Sequence, residues 1–177
     1  MSFKREDSNT TQNKQVVDLI RAAVNNASIP EEEYSTVKVT PIQKEGILTT
    51  TVAVSEGIMG AMKKQKAALI EKLESVLNGT VFIIRDRKVQ MVEGKGGKQV
   101  IQSPITHAGY QERVVNDLVA PSHIVDRRTV IREDGSRLEK MIIEAKHKDE
   151  FSNRFEPMGV VFEEMFGKKA LFMANYY

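Results

Sequence analysis

Asn116 to Lys140 read NDLVAPSHIVDRRTVIREDGSRLEK, and within these positions a helical pattern ends, a strand begins, a tight turn follows and five cations gather. Leu118 and Val119 close the apolar helical pattern. Pro121 cannot continue a helix and pushes the residue before it toward extended geometry, so a strand is expected from about Ser122. Ile124, Val125, Thr129, Val130 and Ile131 supply the β-branched side chains that suit a pleated surface. Asp134-Gly135 is a pair that tolerates positive φ, and Leu138, Met141, Ile142 and Ile143 form the return run. The stretch reads as a β-hairpin.

Its charge is unusual for a hairpin. With Asp134 and Gly135 as a two-residue loop, Arg132 would lie opposite Arg137, and an anion across the pair would relieve a repulsion of some tenths of a kcal/mol. With Ser136 drawn into a three-residue loop, Glu133 would face Arg137 and the conflict would vanish. Both registers fit the sequence. The bland alternative is a solvated face with incidental arginines, since Asp126, Glu133, Asp134 and Glu139 sit among the cations.

The chain has 177 residues, 41% hydrophobic and 28% charged, enough for one domain with a real core or two small lobes sharing one. It holds no cysteine, which excludes disulfide scaffolds, thiolate metal sites and cysteine nucleophiles and fits a reducing compartment. The N-terminal MSFKREDSNTTQNK lacks the apolar core of a signal peptide. The longest apolar run, Ala170 to Ala174, falls far short of the roughly 20 residues that span a bilayer. The net charge is only +2, but residues 58 to 100 carry nine Lys and Arg against four Asp and Glu. For a nucleic-acid partner that distribution matters more than the sum.

Residues 1 to 12 are polar and are expected to form a disordered tail, leaving residues 13 to 177 as one domain. Val16, Val17, Leu19, Ile20, Ala23, Val24 and Ala27 mark a first helix that ends before Pro30. Glu31, Glu32 and Glu33 read as a solvated loop. Two strands flank a turn at Lys44-Glu45-Gly46, and Met59 to Leu77 reads as the longest helix, stopped at Asn78-Gly79. Its first turns carry Lys63, Lys64 and Lys66, at the end where the helix dipole disfavours cations, which hints at an external anion. Solvated long side chains explain the same pattern without one. Val81 to Ile84 form a short buried strand.

Residues 85 to 103, RDRKVQMVEGKGGKQVIQS, suggest a ribbon of Lys88 to Val92 and Gln99 to Gln102 whose tip, residues 93 to 98, is a flexible basic loop. Lys95 and Lys98 alternate there with Gly94, Gly96 and Gly97, a pattern that superficially resembles a phosphate cradle. The P-loop spacing fails, because Val92 stands five positions before Gly97 and Gln99 follows Lys98. The dinucleotide pattern fails too, with Gln99 in place of the third glycine. Backbone amides and ammonium groups remain, able to contact phosphates without reading bases.

A third helix spans about Ile105 to Val119, a fourth Phe151 to Phe166 with its proper start near Glu156, and a last strand Ala170 to Tyr176. Residues 14 to 84 and 105 to 176 thus each run helix, strand, strand, helix, strand. Each half ends a long helix with a glycine, Gly79 or Gly167, just before an apolar strand. An α+β fold follows, with a mixed or antiparallel sheet and helices packed on it.

Catalysis finds little to work with. Nucleophilic chemistry needs a nucleophile, a base and an orienting group, and the three histidines His107, His123 and His147 lie in no motif. Neither a histidine pair at helical spacing nor a His-Glu-x-x-His run is present to hold zinc. No cofactor, metal or small-molecule substrate is expected.

Leu118-Val119, Pro121-Ser122, Ile124-Val125, Arg128, Asp134-Gly135-Ser136-Arg137-Leu138 and Lys140 together resemble the hallmark of the eukaryote-specific ribosomal protein seven of the small subunit. This family is distinct from the bacterial protein of the same numeral. The similarity extends loosely through the C-terminal helix and strand, and by order of elements back to about Asn13. The 93 to 98 segment is shorter than the densely basic insertion usual in the family, which weakens the expectation of extensive RNA contacts there. The resemblance implies a non-enzymatic constituent of the cytosolic small ribosomal subunit, bound to folded rRNA and adjacent ribosomal proteins, with assembly passing through the nucleolus. It implies no membrane. RNA of A-form geometry would be recognised by shape and phosphates, because its major groove is too narrow to read. Within that reading Arg127, Arg128, Arg132, Arg137 and Lys140 carry the main phosphate face, Lys63, Lys64 and Lys66 second it, and Lys95 and Lys98 contribute least. Alternation puts Arg127 and Arg128 on opposite faces, so one of them must serve another partner or a buried acid. Without the family, the chain reads as a free α+β module that docks its hairpin on an acidic protein.

Overall fold

The computed structural model describes residues 4–24, 29–87, 90–93, 99–102, 106–144, 146 and 148–174. The first half runs α1 (Lys4–Ala23), α2 (Glu31–Ser35), β1 (Lys38–Lys44), β2 (Ile47–Val54), α3 (Glu56–Met62), α4 (Lys66–Leu77) and β3 (Thr80–Arg85). A two-stranded antiparallel ribbon follows, β4 (Gln90–Glu93) with β5 (Gln99–Gln102). The second half runs α5 (His107–Val119), β6 (Ile124–Ile131), β7 (Arg137–Ile143), α6 (Lys148–Phe151), a 3-10 turn at Ser152–Arg154, α7 (Phe155–Phe166) and β8 (Lys169–Ala174). The fold is α+β.

The repeated pattern in the sequence is a repeated topology. In each half a hairpin pairs antiparallel, β1 with β2 and β6 with β7, and a helix then carries the chain to a third strand parallel to the second. Both crossover helices end on a left-handed residue, Asn78 at φ +51° and Gly167 at φ +64°. The result is two mixed three-stranded sheets, ordered β1-β2-β3 and β6-β7-β8.

Strand alternation distributes side chains to two apolar cores. Val52, Val54, Val81 and Ile83 face α1, α3 and α4 with Val16, Ile20, Met62 and Leu73. Ile42, Phe82 and Ile84 face the other way, into a core built from α5, α7 and the second sheet, where Val114, Leu118, Met158, Phe162, Met141 and Phe172 meet. The layer of α5 and α7 is therefore shared: the first sheet lies on one side of it and the second on the other. The two halves are also stapled across, by Arg154 to the Glu74 carboxylate and by Lys44 to Glu163 at 2.7 Å.

Several elements differ from the sequence expectation. α1 reaches back to Lys4, into the stretch expected to be a polar tail, because the helix anchored by Val16 and Ile20 can continue through polar residues that oppose helix formation only weakly. Glu31 to Ser35 form a short helix in place of a loop, and Glu33 reaches the hydroxyl of Ser55, which itself caps α3 by accepting from the Ile58 N–H at 3.3 Å. The long helix is broken between Met62 and Lys66, where the Gln65 N–H returns to the Met62 carbonyl at 2.9 Å. An unbroken helix from Glu56 to Leu77 would be about 33 Å long against about 20 Å for the six-residue strand β3, so a break helps keep both Met62 and Leu73 on the sheet. The fourth helix is divided as well, but α7 starts at Phe155, one residue from the expected start near Glu156, with Pro157 in its first turn.

Burial separates two structurally equivalent aromatic and aliphatic positions: Phe82 is 3% exposed and Leu171 is 44% exposed. Phe82→Ala is expected to cost about 3–5 kcal/mol in urea unfolding, and Leu171→Ala within about 1 kcal/mol. Equal losses would contradict the assignment of cores.

Candidate nucleic-acid interface

The hairpin turn adopts neither register read from the sequence. The Gly135 N–H donates to the Arg132 carbonyl and the Arg132 N–H to the Ser136 carbonyl, each at 2.9 Å, so Glu133, Asp134 and Gly135 form the loop. Ile131 pairs with Arg137 and Val130 with Leu138. This is the three-residue loop in which a tight turn is followed by a left-handed residue, and Gly135 takes that place at φ +78°. The Asp134 carboxylate accepts the Ser136 N–H at 2.9 Å, and its contacts with Ser136 hold its pKa below the usual carboxylate value. Arg132 and Arg137 are thereby offset and do not repel one another across the ladder.

The hairpin's cations fall into three environments. Arg127 points to the helix layer, where it meets Glu139 at 2.8 Å and donates to the Gln111 amide oxygen at 3.0 Å. Glu139 and Gln111 are buried, so of the two roles that alternation left open Arg127 serves a buried acid and is turned away from the outer face. Arg128 points outward and is bound by Asp126 at 2.6 Å. It stands directly opposite Lys140, a like-charged pair that the Asp126 carboxylate offsets. Arg132 and Arg137 are exposed at the tip, and neither forms an ion pair among the described residues. Ile131, 66% exposed, adjoins Arg132 in the chain and pairs with Arg137 on the same projecting ribbon.

The break between α3 and α4 changes the meaning of the lysine cluster. Lys63 caps the C-terminal end of α3 with Lys64 beside it, both exposed, where the helix dipole favours cations. The apparent misplacement that hinted at an external anion is absent for these two. Lys66 opens α4 but is half-buried, and burial lowers its pKa while the nearby Asp117 carboxylate raises it. It is thus less available to an external anion than Lys63 and Lys64. Lys95 and Lys98 lie outside the described residues. Sequence reading missed Lys168 and Lys169, exposed where β8 opens beside β7; the cation pair immediately after the helix-stopping Gly167 was the available signal.

The histidines keep structural company. His107 packs edge-on against Phe166 at 6.3 Å, and His123 lies 3.5 Å from Glu144. His147 lies outside the described residues, among which no group of three metal-capable side chains converges.

The difference between Arg127 and Arg128 is measurable. Arg127→Met strands Glu139 without its cation and is expected to destabilise by about 1–3 kcal/mol in chemical denaturation. Arg128→Ala removes a pair whose arginine is 71% exposed and should shift stability by less than about 1 kcal/mol. A larger loss from Arg128 would reverse the assignment.

Residues 8–174 match the family described as Ribosomal protein S7e. Small ribosomal subunit protein eS7z of Arabidopsis thaliana is 26% identical over 113 residues, which cover 63% of this chain and 59% of that protein. Small ribosomal subunit protein eS7 of Dictyostelium discoideum is 22% identical over 170 residues, 94% of this chain and 81% of that protein. The Saccharomyces cerevisiae protein eS7A is 21% identical over 117 residues, 64% of this chain and 62% of its own length. The matches thus span about three fifths of the Arabidopsis and yeast proteins. With the family pattern running through both sheets and the projecting hairpin, the chain belongs to the Ribosomal protein S7e family.

Proposed function

We propose that this protein is a structural component of the small ribosomal subunit and not an enzyme, binding folded small-subunit rRNA through its phosphates and abutting adjacent ribosomal proteins. A part in subunit assembly, beginning in the nucleolus before the subunit reaches the cytoplasm, belongs to the same reading. So does a single domain over residues 13 to 177. Family membership supports the ribosomal setting. The observation that carries the RNA contact is the pair of exposed arginines, Arg132 and Arg137, without an ion-pair partner among the described residues and held on a hydrogen-bonded turn. A paired ribbon fixes its backbone before binding, so less freedom is lost per contact, and guanidinium forks match phosphate oxygens better than single ammonium groups do.

Within this reading the cations are ranked by their geometry. Arg132 and Arg137 come first, Arg128 flanks them, Lys63 and Lys64 form a second point of contact, and Lys140 faces an adjacent protein. Arg127 acts inside the fold, and half-buried Lys66 is less available than Lys63 and Lys64. Lys95 and Lys98, which lie outside the described residues, rank last on the sequence alone, because glycines flank them.

Salt dependence tests the ranking. Each phosphate contact contributes about 0.7–0.9 to the slope of log K against log salt, so Arg132→Ala with Arg137→Ala should reduce the slope for small-subunit rRNA by about 1.5 while the thermal midpoint holds. Lys95→Ala with Lys98→Ala should change it much less. A larger loss from the loop pair, at unchanged stability, would make the glycine loop the RNA anchor.

A further inference from the structure

The two sheets correspond in register as well as in topology. Thr49 stands between Ile42 and Thr80 as Leu138 stands between Val130 and Lys169. Counting along the strands from these trios, Phe82 corresponds to Leu171, Ile84 to Met173, Ala53 to Ile142 and Thr51 to Lys140. In the first half this face lies under α5 and α7, and Phe82 and Ile84 are buried. In the second half the same face has no cover among the described residues. Leu171 is exposed, Leu138, Ile142 and Met173 are only half-buried, and none of the four joins either core.

This outer face is not ordinary surface. Val130, Leu138, Ile142, Leu171 and Met173 alternate onto it from three neighbouring strands. From strand spacing and rise they span on the order of 300 Å², the footprint of a helix. Its charge is cationic: Arg128 is matched by Asp126, whereas Lys140 and Lys169 have no ion-pair partner among the described residues. The first half shows how a helix fills such a face. There α7 lies on the sheet and sets Glu163 against Lys44 of the outer strand at 2.7 Å.

We infer that the outer face of the β6-β7-β8 sheet docks an amphipathic helix of a neighbouring protein, seated as α7 is seated on the first sheet. Its apolar stripe rests on Leu138, Ile142 and Leu171, and acidic residues on its flank reach Lys140 and Lys169. RNA fits this face less well, because phosphates gain nothing from five apolar side chains, and the arginines suited to phosphate stand beyond it at the hairpin tip. The inference deepens the contact with adjacent proteins proposed above, and it rests on that reading only for where the partner resides.

Photocrosslinking on the full chain tests it. Leu171→benzoylphenylalanine is introduced in the native cells, with Glu71→benzoylphenylalanine on the exposed side of α4 as a control. After irradiation, adducts are separated on a sucrose gradient and the attached segment is sequenced. The expected adduct at position 171 is a peptide with apolar residues at helical spacing and Asp or Glu on its flank, not captured from position 71. Lys140→Glu with Lys169→Glu should abolish that adduct. Attachment to RNA, to a second copy of this chain, to a peptide without that pattern, or to no macromolecule overturns the inference, as does a yield unchanged by the double reversal. A helix adduct that migrates apart from small subunits upholds the docking face and refutes the ribosomal setting.

Discussion

The burial of one helix layer between two sheets is the constraint on which the rest of this structure depends. α5 and α7 are not finished by their own sheet. They also cover Ile42, Phe82 and Ile84 from the first half, and each large apolar side chain so buried contributes about 1.5–3 kcal/mol. Close approach follows from this sharing: a Cβ on Gly159 of α7 would come within 2.9 Å of the Ala170 carbonyl oxygen, so only glycine lets the helix sit this near β8. Arg154, stacked over the Phe82 ring at 5.7 Å while bound to Glu74, ties the start of α7 to both the helix layer and the sheet of the first half. Neither half buries its apolar surface alone.

The same constraint explains the character of the hairpin. Near the body, β6 and β7 are held by Met141 and Ile143 in the core and by the Arg127–Glu139–Gln111 contacts. Toward the tip they pass beyond the helix layer, and from Ile131 to Arg137 every residue is exposed. A ribbon anchored at its base and closed by a hydrogen-bonded loop presents charge with little loss of freedom on contact.

Local patterns were legible in the sequence, and distances between segments were not. β-branched runs with turn residues disclosed both hairpins, and the order of elements disclosed the repeat that the strand topology displays. Reading could not tell one sheet from two, because strand pairing joins residues such as Met141 and Phe172 that no local period connects. The break at Lys63–Gln65 was hidden because the apolar spacing runs on through it. The loop was placed one residue late, since either a two-residue or a bulged turn accommodates Asp134-Gly135 and only the ladder decides. Alternation did foretell that Arg127 and Arg128 part company, but it could not supply Gln111, contributed from a helix sixteen residues away.

The central claim, that this chain works as a fixed part of the small ribosomal subunit, is tested most directly by sedimenting the tagged full-length protein from its own cells through sucrose gradients at increasing salt. The expected result is migration with small subunits at physiological salt, retained when weakly bound factors are stripped away at higher salt. Recovery of the protein at the top of the gradient at physiological salt would contradict the claim.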